Sequence, residues 1–193
     1  MLKELKPAVI LLLTLSVLTG LIYPAAVGGL AQALFPKEAN GSLIERDGKV
    51  VGSRLIGQNF SDNKHFWGRP SATAPMPYNA GASGGSNQGH LNPALEDAIK
   101  ARIETLRASD PNQNAPIPVD LVTTSGSGLD PHISVAAARW QLPRIARERN
   151  LPEKNLEEII ASLTEGRQLG ILGEPRVNVL ELNLALEKRA NSR

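Results

Sequence analysis

The residues best suited to chemistry form one short segment, SDNK at 61–64. It contains an S-x-x-K and an S-D-N element, which penicillin-binding serine enzymes use to activate a serine nucleophile. In those enzymes the two elements are separate motifs, and a K-T-G strand completes the site. Here they overlap, and the sequence contains no K-T-G. We therefore interpret Ser61 and Lys64 as parts of a solvated loop, and a membrane-anchored serine enzyme is a remote alternative.

Metal and nucleotide sites have equally little support. The three histidines, His65, His90 and His132, lie far apart and lack the H-E-x-x-H or short H-x-H spacing of zinc sites. The glycine-rich run at 81–89 is followed by no Lys-Ser or Lys-Thr, and the G-S-G at 126–128 lacks the third glycine of a dinucleotide fingerprint. The sequence therefore predicts no catalytic residue, no metal site and no cofactor bound by this chain.

Composition excludes two further classes of chemistry. The 193 residues include no cysteine, which excludes disulfides, thiolate metal ligands and a cysteine nucleophile. Charge is nearly balanced, since 21 Lys and Arg face 19 Asp and Glu and the net charge is +2. A nucleic-acid-binding protein would concentrate basic residues on one face, and the sequence shows no such cluster. Nucleic acid is therefore not an expected partner.

A membrane-spanning helix is the first element that the sequence predicts. Residues 8–35 contain no charged side chain, and a helix of that length exceeds the roughly 30 Å hydrocarbon core of a bilayer. Lys3 and Lys6 precede this stretch, so the positive-inside rule places residues 1–7 in the cytoplasm. We predict a single-pass protein whose residues 36–193 form one extracytoplasmic domain.

A cleaved signal peptide is the alternative interpretation of the same stretch. Ala31, Gln32 and Ala33 form an A-x-A cleavage motif, and Pro24 would end a short apolar region. The apolar residues continue past Pro24 to Leu34, further than the apolar core of a typical signal peptide, which favours a retained anchor. Both interpretations export the polar domain.

One face of the span carries small residues. Ser16, Gly20, Pro24 and Gly28 recur every four positions. Small residues at that spacing let another membrane helix approach closely. Gly and Pro are also commoner in membrane helices than in soluble ones, so the same pattern is compatible with no partner. These four residues are our candidate packing face for another transmembrane helix.

The exported part is predicted to be a single small α+β domain with long loops rich in Gly and Pro. The D-G pair at 47–48 predicts a β-hairpin over 42–56. The segment at 59–92 is rich in Gly, Pro, Ser and Asn, and irregular chain of this length is usually functional or disordered. A short strand is predicted at 119–123.

Four helices are predicted from apolar spacing and capping residues. They are a helix from Pro93 capped by Asn92, one over 135–149 capped by Ser134, one from Pro152, and one over 177–187 capped by Asn178. Pro143 lies inside the second helix and is expected to kink or split it. The last segment also alternates like a strand, but its Leu, Glu, Ala and Lys content favours a helix.

The order of the loop motifs resembles the C subunit of the Kdp-type potassium-transporting ATPase over nearly the whole chain. Several unusual strings that occur in one order make this resemblance specific. They are NGSL at 40–43, LIGQNF at 55–60, GRPSAT at 68–73, MPYN at 76–79, ASGGSN at 82–87, SGLD at 127–130, IS at 133–134 and VNVLELNLAL at 177–186.

The resemblance implies a non-catalytic accessory subunit of an ATP-driven, high-affinity potassium uptake complex in the bacterial plasma membrane. The implied partners are a channel-like potassium-binding subunit, a P-type ATPase subunit and a small membrane peptide. ATP and potassium would be handled by the complex, and this sequence has neither a D-K-T-G-T phosphorylation motif nor a selectivity filter. The implied roles are assembly, stabilisation and a raised ATP affinity of the ATPase subunit. That last effect would be indirect, because ATP is cytoplasmic and the domain is predicted outside. The alternative is a cleaved, secreted binding module unrelated to transport.

Three residues of the long polar segment are candidate partner contacts: Arg69, Tyr78 and Asn79. Arg and Tyr are frequent anchors of protein interfaces, which favours such contacts if the resemblance holds. The alternative, equally supported by the sequence, is that the segment only stabilises its own domain, with Arg69 bonding nearby carbonyls.

Overall fold

The computed structural model of the protein describes residues 2–191 and divides into two compact units. The first unit ends at Ser53 and the second begins at Arg54. The first contains the long apolar helix and a β-hairpin, and the second contains the sheet, the remaining helices and the hydrophobic core.

The first unit begins with α1 (Leu2–Val17), a π-helical turn (Leu18–Ile22) and α2 (Tyr23–Leu34). Together they form the one helix within the described residues that is long and apolar enough to cross a membrane. The wide turn precedes Pro24, whose ring would collide with the carbonyl four residues back in a regular α-helix. A π turn accommodates that ring, and the Tyr23 N–H accordingly donates to a carbonyl five residues earlier.

A short helix α3 (Pro36–Ala39) and a hairpin complete the first unit. Strand β1 (Leu43–Arg46) pairs antiparallel with β2 (Lys49–Ser53). The connecting residues Asp47 and Gly48 both have positive φ, at 51° and 72°. Positive φ at both central residues is the type I′ pattern, which matches the twist of the paired strands. The hairpin predicted from the D-G pair is confirmed.

The second unit combines helices with a small antiparallel sheet, as the α+β prediction requires. In chain order it contains α4 (Pro93–Ser109), β3 (His132–Ser134), α5 (Val135–Arg149), α6 (Glu153–Leu163), β4 (Thr164–Glu165), β5 (Arg176–Asn178) and α7 (Val179–Asn191), with 3₁₀ turns at Ala80–Ala82 and Val119–Leu121. The sheet order is β3-β5-β4, so the last strand lies in the centre. The core forms where this sheet meets α5, α6 and α7, and its most buried members are Ile145, Ile160, Val177, Leu182 and Leu186.

Two strands lead directly into helices, and polar side chains mark both junctions. Ser134 ends β3, and its Oγ accepts the Ala137 N–H at 3.0 Å at the start of α5. Asn178 ends β5, and its Oδ1 accepts the Glu181 N–H at 3.2 Å in the first turn of α7. Such caps satisfy amides that have no partner within the helix. The predicted caps at Ser134 and Asn178 are confirmed.

Two local predictions need correction. The expected strand at 119–123 contains a 3₁₀ turn, because the Leu121 N–H bonds back to the Pro118 carbonyl at 3.1 Å instead of meeting a neighbouring strand. Helix α5 continues from Val135 to Arg149 through Pro143, so the split, one of the two effects expected of this proline, does not occur, and the kink stays a prediction. Proline removes only one helical hydrogen bond, and the buried residues on both sides of it pack firmly in the core.

Candidate partner-contact surface

The residues between Arg54 and Asn92, hereafter the polar segment, contain all three candidate contact residues. Within it the structure shows no strand or helix beyond the 3₁₀ turn at Ala80–Ala82. Without a helix or a sheet ladder, the buried amides and carbonyls of such a segment must find other partners. Side chains from α5 and α7 supply several of them.

Two buried side-chain amides hold two consecutive residues of the polar segment. The Asn183 amide accepts the Phe66 N–H at 2.8 Å and donates to the Phe66 carbonyl at 3.0 Å. The Gln141 amide does the same for Trp67, at 2.8 and 3.1 Å. Both amides are at most 2% exposed, as is the Phe66 ring that they seat in the core. Each side chain therefore pairs the main chain much as a neighbouring strand would.

Arg144 on α5 organises the beginning of the polar segment, and it is the largest fully buried side chain described. Its guanidinium donates to the carbonyls of Asn63 at 2.5 Å and His65 at 3.1 Å, and to Gln141 Oε1 at 2.9 Å. It also lies 4.6 Å from the centre of the Trp67 ring, a cation–π distance. Burial lowers the pKa of Arg144 to about 10, so it is protonated at neutral pH.

Arg69, the first candidate contact residue, is half-buried and bonds within its own unit. It donates to Asp130 Oδ2 at 3.2 Å and to the Thr124 carbonyl at 3.1 Å. The Tyr78 hydroxyl in turn donates to the Arg69 carbonyl at 2.5 Å. Side chain and main chain of Arg69 therefore join three separate parts of the second unit.

Tyr78, the second candidate, closes the polar segment on itself. It has a positive φ of 57°, and its N–H donates to Ser71 Oγ at 2.9 Å. Its ring lies against Gly57 and Gly68, where a Cβ atom would overlap the ring or the hydroxyl. Burial, together with the negative charge of Asp130, raises the pKa of Tyr78 to about 12. The phenol is therefore neutral and acts as a fixed hydrogen-bond donor.

Asn79, the third candidate, caps the 3₁₀ turn that follows it. Its Oδ1 accepts the Gly81 N–H at 3.0 Å, and its Nδ2 donates to the Ala74 carbonyl at 2.8 Å. The structure thus gives each of the three residues a bond inside the second unit. Their contact with a partner stays a prediction.

Asp130 connects Arg69 to the sheet. Its Oδ1 accepts the His132 N–H at 3.0 Å and lies 3.4 Å from His132 Nδ1. Burial would raise the pKa of Asp130, but the hydrogen bonds from His132 and Arg69 outweigh burial and lower it below its usual value. The carboxylate is therefore ionised at neutral pH and keeps Arg69 in place.

Two clefts border Arg69. One, of about 250 Å³, is lined mainly by apolar atoms and includes Trp67, Tyr78 and Arg102. The other, of about 520 Å³, includes Asp130 and residues of β3 and β5. Arg69 lines both clefts, whereas Asn79 lines neither. Such concave surfaces suit the recognition of another molecule.

The other residues considered for chemistry are not brought together. Ser61 and Lys64 are both exposed, as expected of a solvated loop. Among residues 2–191, no group of three or more His, Asp or Glu side chains has the arrangement needed to hold a metal ion.

The candidate packing face lies in the first unit. Ser16, Gly20, Pro24 and Gly28 are all exposed along the apolar helix, and, apart from the adjacent residues and the nearby backbone of the helix itself, no atom of the described residues lies within 4 Å of the Cβ position at either glycine. The π turn adds a residue between Ser16 and Pro24, so the four positions depart from a strict α-helical spacing. Their packing against another helix stays a prediction.

Sequence reasoning missed the residues that hold the polar segment in place: Gln141, Arg144 and Asn183. The available signal was a polar side chain in a predicted apolar helix face, since Asn183 follows Leu182 and precedes Leu186 by three positions. A buried polar residue needs a hydrogen-bond partner, which would have indicated a contact with irregular main chain.

Comparison with known proteins agrees with the resemblance of the loop motifs. Residues 5–188 match the family described as KdpC: K+-transporting ATPase, c chain. The chain is 63% identical to the potassium-transporting ATPase KdpC subunit of Methylococcus capsulatus over 97% of this chain and 98% of the relative. It is 61% identical to the protein of that name in Dechloromonas aromatica, over 95% and 96%. It is 64% identical to that of Polaromonas naphthalenivorans, over 95% and 93%. The chain therefore belongs to the KdpC family, the c chains of the K+-transporting ATPase.

Proposed function

We propose that this chain is a non-catalytic accessory subunit that assembles and stabilises an ATP-driven potassium uptake complex. The observation that carries the proposal is the family match over residues 5–188, with relatives named as subunits of a potassium-transporting ATPase. The geometry is consistent with a binding role, because Arg69 lines two clefts that suit the recognition of another molecule. Its partners are a channel-like potassium-binding subunit, a P-type ATPase subunit and a small membrane peptide.

The proposal is tested by removing the chain from an otherwise complete complex. We expect the ATPase and channel-like subunits to separate during purification in mild detergent, and potassium-stimulated ATP hydrolysis to fall. Supplying the full-length chain should restore both. Potassium-stimulated hydrolysis that is unchanged without the chain would contradict an assembly role.

The apolar helix at Lys3–Leu34 serves as a single membrane anchor in this proposal, with the second unit outside the plasma membrane. Because the chain contains no cysteine, single cysteines report its orientation. Leu91→Cys, at a site 84% exposed, should react with a membrane-impermeant maleimide in intact cells, and Glu4→Cys should react only after lysis. The reverse pattern would overturn the orientation, and a chain shortened at Ala33 would indicate a cleaved, secreted module.

An effect on ATP affinity would then be transmitted through the other subunits. ATP and the second unit lie on opposite sides of the membrane in this proposal, so the effect is a coupling free energy between separate sites. We expect the KM for ATP to rise when the chain is removed. Nucleotide that protects Leu91→Cys from labelling in intact, correctly oriented vesicles would contradict an indirect effect.

The proposed contacts of Arg69, Tyr78 and Asn79 need a control for local stability, because each of these side chains also bonds within its unit. Arg69→Ala is compared with Arg149→Ala, which loses a similar bond, from Arg149 Nε to the Lys64 carbonyl at 2.6 Å. Loss of complex assembly in the first variant only, at similar melting temperatures, would support the contact. Equal assembly in both variants would restrict Arg69 to a structural role.

A further inference from the structure

A hairpin between β4 and β5 exposes three aliphatic side chains at residues 166–173, hereafter the hairpin tip. Leu169 is 90% exposed, Ile171 is 74% exposed and Leu172 is 54% exposed. Single exposed apolar residues are common on protein surfaces, but adjacent ones that form a patch mark interaction sites. Three large aliphatic residues within four positions form such a patch.

The main chain of the hairpin tip is well defined. The N–H and C=O groups of Gln168 and Leu172 bond each other, both at 2.9 Å, and the Ile171 N–H donates to the Gln168 carbonyl at 3.2 Å. Leu169 and Gly170 occupy the turn with positive φ, 53° and 78°. Asn, Asp and Gly are the residues suited to that conformation, and a leucine there is sterically disfavoured. An unfavourable, exposed leucine suggests a function that outweighs its local cost.

The base of the hairpin tip is electrically neutral. Arg167 Nη2 donates to both carboxylate oxygens of Glu174, at 2.7 and 2.8 Å. Glu165, just before the tip, pairs with Arg54 and Arg176, and Arg54 also pairs with Glu181 at 2.8 Å, so three arginines face three glutamates. The tip therefore presents apolar surface without an uncompensated charge beside it.

These features distinguish among the possible occupants. A membrane-inserting loop would carry interfacial Trp or Tyr, or unpaired Lys and Arg that attract anionic headgroups, and residues 164–176 have no aromatic residue. A second copy of the chain is also disfavoured, since three side chains bury far less than the about 800 Å² per partner of a stable interface. A neutral apolar tip of this size suits one anchor within a larger protein interface.

We propose that Leu169, Ile171 and Leu172 insert into an apolar pocket on a neighbouring protein subunit of the transport complex. The inference rests on the proposed function and adds the surface through which the second unit docks. A chain that is already anchored beside its partners in one membrane needs only a small additional contact, because its effective concentration is high.

The test combines Leu169→Asn with Ile171→Ser in the full-length tagged chain, expressed together with the other subunits. Asparagine tolerates the left-handed conformation, so the turn should keep its fold. The matched control is Leu91→Ser, at an equally exposed leucine elsewhere in the second unit. We expect about a tenfold loss of partner subunits retained through detergent washing for the tip variant, and none for the control. Neither chain should melt more than about 2 °C below the wild type.

The outcomes separate the two proposals. Full retention of partners by the tip variant overturns the docking inference and leaves the accessory role intact. Failure of the wild-type chain to retain any partner overturns the proposed function, and the inference with it.

A second measurement distinguishes a protein pocket from lipid and does not depend on assembly yield. Because the wild-type chain has no cysteine, Ile171→Cys introduces a single one, which is labelled with an environment-sensitive fluorophore. The labelled protein is then measured in lipid nanodiscs. We expect a blue shift of the emission only when the partner subunits are present. A blue shift in nanodiscs that contain this chain alone, or no shift with the partners, contradicts the inference.

Discussion

The polar segment and the hairpin tip both lie in the second unit outside its long helices, but their main chains are held in opposite ways. The main chain of the polar segment around Phe66 and Trp67 is bonded by buried amides and a guanidinium that α5 and α7 supply. In the hairpin tip, the main chain bonds itself, and aliphatic side chains such as Leu169 face solvent.

This comparison separates the residues that stabilise the fold from the residues that are available to contact a partner. A buried polar group stabilises the fold only while it is paired, so residues that look chemically active can be structural ones. An exposed leucine contributes little to folding and is available to a partner. Replacing the polar residues beneath the segment should therefore affect unfolding, whereas replacing the apolar residues of the tip should affect assembly.

The largest effect is expected for Arg144→Met. The change leaves the carbonyls of Asn63 and His65 without their donor, and we expect the free energy of unfolding to fall by about 3 kcal/mol or more. Urea unfolding of the full-length chain in mild detergent measures this. Arg149→Met, which removes one bond to the same segment, should lower it by only about 1 kcal/mol. Equal losses would mean that burial of Arg144 has no special role.

A smaller effect is expected for Asn183→Leu. The leucine fits the apolar surroundings but leaves the N–H and C=O of Phe66 unpaired, which should lower the free energy of unfolding by about 2 kcal/mol. Asn155→Leu on α6 is the control, and the same urea titration should show a much smaller change. A stabilised Asn183→Leu chain would show that the amide does not hold the segment.

Tyr78→Phe should have a moderate effect whose sign depends on pH. At pH 8 the variant loses the bond to the Arg69 carbonyl, which lowers the free energy of unfolding by about 1 kcal/mol. Tyrosine ionises near pH 10 when unfolded and at about 12 here, so the wild type loses stability as pH rises from 10 to 12. The difference should therefore shrink and then reverse above about pH 11. Unfolding at a series of pH values checks this, and a constant difference would argue against the raised pKa.

The smallest effect, of opposite sign, is expected for Leu169→Asn alone. Asparagine suits the left-handed turn, so the free energy of unfolding should rise by up to about 1 kcal/mol. The measurement is thermal or urea unfolding beside the Leu91→Ser control. A destabilised variant would show that Leu169 packs in its own unit and would weaken the contrast between the two regions.

Much of the local structure could be predicted from the sequence. The D-G pair at 47–48 defines its hairpin, and Asn92, Ser134 and Asn178 accept amides at the helix starts where their side chains indicated caps. These features depend on a few neighbouring residues. The strands β3, β4 and β5 have at most three residues each, too few for an alternating pattern, and they were missed.

The candidate site was less predictable, because its bonds join distant parts of the chain. The loop motifs indicated where Arg69 and Tyr78 belong in a family, but not that Asp130 and Thr124 hold Arg69. Asn183 and Phe66 lie 117 positions apart, and no local pattern connects them. The exposure of Leu169 could not be predicted either, because it also depends on the tertiary structure. In a sequence alone, apolar residues indicate a core.

The most direct test of the accessory role is purification of the tagged full-length chain from native membranes in mild detergent, with the co-purifying proteins identified. We predict that a P-type ATPase subunit and a channel-like potassium-binding subunit appear together with it in constant proportion. Recovery of the chain alone, from membranes in which both other subunits are present, would contradict the account.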